Sequence, residues 1–230
     1  MTLTPRAVLK ANRLLRDLPD SALTKLAGLS SRRSVRKGAR IFAQGDPGDS
    51  LLGLISGKVR ISAMTSGGKE VFLNILESGD SFGEIAVLDG QARTASADAI
   101  EDSLLFVIQR ADLLALIARE PKLATHLIQL LCRRLRWTSE LIEEAAFLPV
   151  AGRLARRLLR LIEEHGHRSV DGVTLHLSQA DLAGFLSVSR QIVNQHLQVW
   201  RRQGWVEIGR SRVTITDMDG LRTVLDAADR

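Results

Sequence analysis

The sequence predicts an α+β chain in three consecutive parts. These are a strand-rich domain over residues 1–109, a short helix and then a long one over 110–148, and a domain of helices with a small hairpin over 149–230. Three observations carry that prediction. Between Ser31 and Ile108, short apolar runs alternate with turn signals at roughly ten-residue spacing, the pattern of an antiparallel barrel or jelly roll. Pro121 then opens a helical pattern that continues to about Phe147 and is closed by Pro149. Beyond it, two adjacent helical segments lead into a two-stranded hairpin.

Composition narrows the classes. The chain has 230 residues and is 45% apolar, enough for a sizeable core. Its net charge of +6 permits an anionic partner without demanding one. The distribution says more: between Ser178 and Arg212, Arg190, Arg201, Arg202, Arg210 and Arg212 face only Asp181 and Glu207. Cys132 is the only cysteine, which excludes a disulfide framework, a Cys-based zinc site and an iron–sulfur cluster within one chain. The N-terminal stretch MTLTPRAVLKANRLLRD breaks its apolar residues with charges, unlike a signal segment. No long apolar run follows, so the expected location is the cytoplasm, without membrane attachment. The histidines His126, His165, His167, His176 and His196 show no metal spacing beyond a weak His165/His167 pair, and no nucleophile–base arrangement stands out. No metal and no catalytic residues are expected, and Cys132 on the long helix is expected to pack rather than react.

The elements follow in order. Residues 5–28 space Leu and Ala helically and break at Pro19-Asp20, giving two short helices. Strands are expected in ARIFA, SLLGLI, KVRISAM, EVFLNIL, ARTASADA and SLLFVI, with a short helix over Ala111–Ala118. The segment SFGEIAVLDGQARTASA, residues 81–97, places Glu84 and Arg93 nine positions apart among small and apolar residues. An acceptor and a cation in a stretch that otherwise reads as core ask for a reason.

The long helix carries Leu127, Leu131, Arg134, Thr138, Leu141, Ala145 and Leu148 at alternating spacings of four and three. That 3.5-residue period marks a two-helix coiled-coil seam and predicts self-association, with a helix buried on its own domain as the alternative reading. Arg134 and Thr138 interrupt it, with Ser139 adjacent. A buried arginine needs a partner; either Arg134 leans out to water along its stem, or Glu84 reaches it.

The following domain opens with a helix over Ala151–His165. Its Arg153, Arg156, Arg157 and Arg160 share a face and read as a solvated stripe. In LSQADLAGFLSVSRQIVNQHLQVWRRQGW, Ser178 with Asp181 forms a capping box for one helix and Ser189 caps the next. In that second helix Ile192, Val193, Leu197 and Trp200 form the buried side. Arg190, Gln191, Asn194, Gln195 and Gln198 share the other, a set of groups suited to base edges in a major groove. Arg210 and Arg212 sit on a hairpin tip beside it, as in a wing that grips phosphates. A helix-turn-helix that binds double-stranded DNA is the prediction.

Strand-rich domain, long helix and winged helix-turn-helix, in that order, resemble the CRP/FNR family of bacterial transcription regulators. FGEIAVLDGQARTASA is similar to that family's phosphate-binding cassette in its cyclic-nucleotide form; residues 133–159 resemble its long helix and hinge, and SRQIVNQHL its recognition helix. The resemblance implies an N-terminal cyclic-nucleotide-binding β-roll, a dimerisation helix and a DNA-binding domain. It implies a dimeric, non-enzymatic regulator allosterically activated by cAMP or, second, cGMP. It assigns the ligand to Gly83, Glu84, Ile85, Ala86, Arg93, Thr94, Arg134, Thr138 and Ser139. The phosphate would meet the amides near Ile85 and Ala86 together with Arg93, and Glu84, held by Arg134, would accept from the ribose hydroxyl. DNA falls to Ser189, Arg190, Gln191, Asn194, Gln195, Gln198, Arg210 and Arg212, on a palindromic operator, with RNA polymerase as a further partner. A regulator that is constitutive or senses another molecule is the alternative, and a cyclic-nucleotide-sensing regulatory subunit a weaker one.

Overall fold

The computed structural model describes residues 4–228; the outer limits of the first and third predicted domains, residues 1 and 230, lie outside them. The described chain divides into two compact units. One joins residues up to 68 with Leu73–Leu135, the other joins Lys69–Phe72 with residues 136 onward.

The first unit is built from leucine burial on both faces of one sheet. That sheet orders its strands β1 (Ser31–Val35), β8 (Ser103–Gln109), β3 (Ser50–Ser56), β6 (Ser81–Phe82). The second sheet orders β2 (Arg40–Phe42), β7 (Ser96–Ala99), β4 (Val59–Met64), β5 (Glu70–Leu76). Leu52 and Leu54 of β3 and Leu105 of β8 join a core with Ile41, Val59 and Ala97 of the second sheet. Leu51 of β3 and Phe106 and Ile108 of β8 join a different core, formed with α1 (Pro5–Ala11), α2 (Asp20–Leu29) and α4 (Arg110–Arg119). A strand buried on both faces has no polar side to show, which is why SLLGLI reads as a continuous apolar run. Each fully buried leucine contributes about 2–3 kcal/mol.

Two strands of this unit, β1 and β6, are absent from the sequence expectation. β1 is the polar stretch SRRSV, exposed at four of its five positions. It pairs along one edge with β8, Ser31 opposite Val107, and an edge strand requires no apolar alternation. β6 is two residues long, too short for periodicity to register, and the short helix α3 (Glu84–Asp89) follows it.

The long helix α5 (Pro121–Phe147) spans the predicted residues, and the residues expected on its seam differ in exposure. Leu127 is buried in the helical core of the first unit, and Leu148, just past the helix, is also buried. The exposed apolar residues stand one position on: Ile128, Leu135 and Ile142, at 60%, 69% and 65% exposure and seven residues apart. A repeat length fixes a period and not a phase, and two adjacent stripes of this helix are apolar. Cys132 lies exposed on the helix and is not packed as expected.

In the second unit α6 (Val150–His165) starts after Pro149, which sits at its N-cap and ends any continuation of α5. A small sheet orders β11 (Val206–Gly209), β12 (Arg212–Ile215), β10 (Gly172–Leu175), β9 (His167–Ser169), and α9 (Met218–Ala228) closes the unit. The arginine stripe of α6 is only partly solvated, with Arg153, Arg156 and Arg160 half-exposed. Arg157 is 5% exposed, and Arg160 Nη1 meets Glu140 Oε2 of α5 at 2.8 Å. The acidic side of α5 lies against it, so charge partners replace water.

The helix-turn-helix is α7 (Gln179–Leu186) and α8 (Arg190–Arg202). Ser178 and Asp181 form the full capping box: the Asp181 amide donates to Ser178 Oγ at 3.1 Å, and the Ser178 amide to Asp181 Oδ2 at 2.9 Å. Ser187 ends α7 with φ +55°, a left-handed turn position that a non-glycine residue occupies at some cost. Ser178→Ala removes one half of the box; an unfolding titration in urea should show a loss of about 1 kcal/mol.

Candidate ligand cleft and nucleic-acid interface

The cleft begins with a backbone that only glycine accepts comfortably. Gly83 has φ +81°, and a Cβ there would collide with Arg93 Nη1. This left-handed residue turns the chain from β6 directly into α3, so that Glu84, the first helical residue, points inward and is fully buried. The amides of the first turn have no acceptor within a helix this short.

Glu84 is met by two cations. Arg134 Nη1 of α5 lies 2.8 Å from Glu84 Oε1, close enough for strong Coulombic attraction, though the N–H is not aligned as a hydrogen bond. Glu84 Oε2 has no hydrogen-bond partner at all. Arg134 is itself steadied by donating from Nη2 to the Ser81 carbonyl at 3.0 Å. Burial pushes the Glu84 carboxyl above its ordinary range, and attraction to Arg134 and then Arg93 offsets part of that rise.

Arg93 is 4% exposed and is more constrained than the sequence suggested. Its Nη1 donates to the Gly83 carbonyl at 2.8 Å, and its Nη2 donates to the Ser50 carbonyl at 2.8 Å and to Ser50 Oγ at 3.2 Å. Its Cζ lies 4.4 Å from the ring centroid of Phe42, and Asp49 Oδ1 stands 3.7 Å from Nη2. Nε is buried without an acceptor. Burial draws its pKa down, with Asp49, Glu84 and Asp46 acting the other way; an arginine keeps its proton regardless.

These groups border one cleft partly open to solvent, about 320 Å³ when the open solvent at its mouth is counted. Of the nine residues expected at a ligand, Gly83, Glu84, Ile85, Ala86, Arg93, Thr94 and Arg134 line it. Thr138 and Ser139 lie further along α5, in the second unit, and are not among the lining residues. Phe42, Ile61, Phe82 and Ala95 complete the lining and were not anticipated. They come from four separate strands or strand ends, and no local pattern marks them apart from other core positions. The cleft therefore offers an apolar wall, a buried carboxylate whose oxygens accept no hydrogen bond, and two cations. A small ligand carrying hydroxyls and a negative charge matches it.

On α8, Val193, Leu197 and Trp200 are buried and Ile192 half-buried, which turns the opposite face outward. Arg190, Gln191 and Gln195 are exposed, Asn194 and Gln198 half-exposed. Ser189 caps the helix, its Oγ accepting from the Ile192 amide at 3.3 Å. Arg190 and Ser189 thus stand at the helix start, where backbone N–H groups are unpaired. The hairpin of β11 and β12 turns through Arg210 and Ser211, the latter at φ +54°, and leaves Arg210 and Arg212 exposed. The second unit thus brings all eight residues expected at DNA onto one helix and its adjoining hairpin. Among the described residues no group of three or more His, Cys, Asp or Glu side chains is placed to hold a metal ion, and no helix is long and apolar enough to cross a membrane.

A β-roll with a cationic ligand cleft, a long helix and a winged helix-turn-helix define a sensor-type DNA-binding regulator. Residues 32–120 match the model of the cyclic nucleotide-binding domain, and residues 152–224 that of the Crp-like helix-turn-helix domain. The chain is 35% identical over 187 residues to a CRP-like cAMP-activated global transcriptional regulator of Mycobacterium tuberculosis, covering 80% of this chain and 84% of the relative. It is 37% identical over 186 residues to the cyclic AMP receptor protein of Thermus thermophilus, covering 81% and 84%. The structure of CLP, a c-di-GMP responsive global regulator of Xanthomonas campestris, superposes with a TM-score of 0.77 over 86% of this chain and 99% of that one; at 24% identity this speaks to the fold. The chain belongs to the CRP/FNR family of transcription regulators and carries that family's cyclic nucleotide-binding and helix-turn-helix domains.

Two outcomes follow from the buried carboxylate. The folded protein holds the Glu84 proton more tightly than the unfolded chain, whose value is near 4.5. Glu84 therefore contributes stability that is complete below that value and is lost as pH rises through the higher folded one. Glu84→Gln should flatten the fall in melting temperature above about pH 4.5, measured by scanning calorimetry across pH. Arg134→Leu leaves a buried carboxylate without its cation and should cost about 3 kcal/mol at neutral pH, recovered in the Glu84→Gln/Arg134→Leu double variant.

Proposed function

We propose that this protein is a homodimeric transcription regulator of the cytoplasm that binds a palindromic operator more tightly when a cyclic nucleotide, cAMP in preference to cGMP, fills the cleft. The observation that carries the reading is Glu84: a fully buried carboxylate whose oxygens accept no hydrogen bond, beside two arginines. Leaving such a group unpaired is costly, and a ribose hydroxyl is a donor of the right kind. The names of the relatives from M. tuberculosis and T. thermophilus, both linked to cAMP, support the same ligand class.

The residues present fit such a ligand. Glu84 would accept from the ribose hydroxyl while Arg134 holds it in place. Arg93, whose Nε still lacks an acceptor, would neutralise the phosphate together with the first-turn amides near Ile85 and Ala86. Thr94, exposed at the cleft rim, would add a hydroxyl. Thr138, and Ser139 of the partner subunit, would meet the base. A cyclic nucleotide, when bound, supplies only charge and hydrogen-bonding groups, so the protein performs no catalysis and needs no metal.

Dimerisation is supported by Ile128, Leu135 and Ile142, three large apolar side chains at heptad spacing left in water. Occupancy of the cleft would act on α5 through Arg134, and α5 would set the two α8 helices one DNA turn apart. RNA polymerase is the further partner of such a regulator.

Operator binding measured with and without each nucleotide tests the reading, alongside calorimetric titration of cAMP and cGMP. Nucleotide-dependent affinity is expected, and Arg93→Ala should abolish it while leaving the basal affinity intact. Equal affinity in all conditions would instead favour a constitutive regulator or one sensing another molecule. Leu135→Asp should shift the protein from dimer to monomer in analytical ultracentrifugation. Arg190→Ala should cost about 1–3 kcal/mol and relax selectivity at one base pair, whereas Arg210→Ala should lower affinity for all sequences and reduce the salt slope by about one.

A further inference from the structure

Arg157 is a buried cation that the ligand cleft and the DNA-reading face leave unexplained. It sits on α6 at 5% exposure, where a charged side chain is costly unless its surroundings are specific. Those surroundings come from three helices. Its Cζ lies 5.0 Å from the ring centroid of Phe185 on α7 and 5.9 Å from that of Trp137 on α5. Both distances suit a guanidinium over an aromatic face. Glu144 of α5, 6% exposed, is the carboxylate of this interior. Burial raises its pKa, and Arg157, Arg156 and Arg160 are the cations that oppose the rise, with Glu140 acting alongside burial. Arg160 and Glu140 close the rim at 2.8 Å.

We propose that Arg157 is a positioning residue that ties α5 to the helix-turn-helix, its guanidinium stacked between Trp137 and Phe185 so that a movement of one helix is carried to the other. Two physical arguments support this. A buried guanidinium contributes little net stability unless its surroundings are specific, so what the two rings around Arg157 supply is a defined geometry. A planar guanidinium between two rings also has few alternative arrangements, whereas a lysine ammonium or a methionine chain would slide. The ends of the link are placed to use it. Trp137 directly precedes Thr138 and Ser139, and α7 packs against α8, which carries the base-reading residues. Transmission from the nucleotide rests on the function proposed above; the fixing of the helix-turn-helix on α5 does not.

The test uses the full-length protein and a palindromic duplex selected by the wild type from a random pool in the presence of cAMP. Three quantities are read for wild type, Arg157→Met, Arg157→Lys and Phe185→Leu: cAMP affinity by calorimetry, melting temperature, and duplex affinity with and without cAMP. Arg157→Met leaves the buried Glu144 without its main opposing cation, so it should fold with a lower melting temperature but bind cAMP within about two-fold of wild type. The ratio of its duplex affinities with and without cAMP should fall at least about five-fold toward one. Arg157→Lys should not restore the ratio, because charge without the planar group does not stack, and Phe185→Leu should lower it in the same way. A wild-type ratio in folded Arg157→Met overturns the proposal; if that variant does not fold, a wild-type ratio in Phe185→Leu does so. If the wild type itself shows no response to cAMP, the proposed ligand fails, and the link is judged by discrimination between the selected duplex and a scrambled one. A loss of at least about five-fold in Arg157→Met sustains it, and unchanged discrimination overturns it.

Discussion

A carboxylate removed from water governs the first unit. Glu84 cannot be buried without compensation, and the compensation comes from a helix some fifty residues away in sequence, through Arg134. The pair places a side chain of α5 at the cleft and makes the cleft sensitive to anything that changes that charge balance. Neighbouring groups keep the geometry narrow. Gly83 supplies the left-handed turn that aims Glu84 inward, the Ser81 carbonyl holds Arg134, and the Gly83 and Ser50 carbonyls hold Arg93. Both Glu84 carboxylate oxygens and Arg93 Nε are buried without a hydrogen-bond partner inside this arrangement. A native interior seldom leaves such atoms unpaired.

The rotation of α5 follows from leucine packing. Leu123 and Leu127 enter the core shared with α1, α2, α4 and the outer face of the first sheet. Arg134 stands seven residues after Leu127, two helical turns on, and so faces the same way. Burial of the leucines thereby delivers the arginine to Glu84. The same rotation turns Ile128, Leu135 and Ile142 outward. One apolar stripe of the helix thus lies in the core of the first unit and a second in water, and the two are offset by a single residue.

The second unit uses charge differently. Its arginine-rich α6 is directed at the acidic side of α5, with Arg160 on Glu140 at the rim and Arg157 enclosed among Trp137, Phe185 and the buried Glu144. The exposed arginines of α8 and the β11–β12 hairpin serve the opposite purpose, since they remain available to an anionic partner. Two sets of arginines that look alike in the sequence are separated only by what the fold packs against them.

Much of the molecule was legible from local chemistry. Turn residues at short intervals marked the roll, prolines bounded α5 and α6, and the Ser178/Asp181 box and Ser189 marked the starts of α7 and α8. The residues of the Glu84–Arg93 cassette and the polar face of α8 were identifiable because their spacing is local. Tertiary structure decided what no window of sequence contains. It decided that Arg93 is anchored on backbone carbonyls, that Phe42, Ile61, Phe82 and Ala95 line the same cleft, which stripe of α5 is buried, and that Arg157 is interior while Arg190 is not. The physical reason is the range of the interactions. Caps, turns and helical faces are set by neighbours within a few residues, whereas the fate of a charge or an apolar side chain depends on which distant surface excludes water from it.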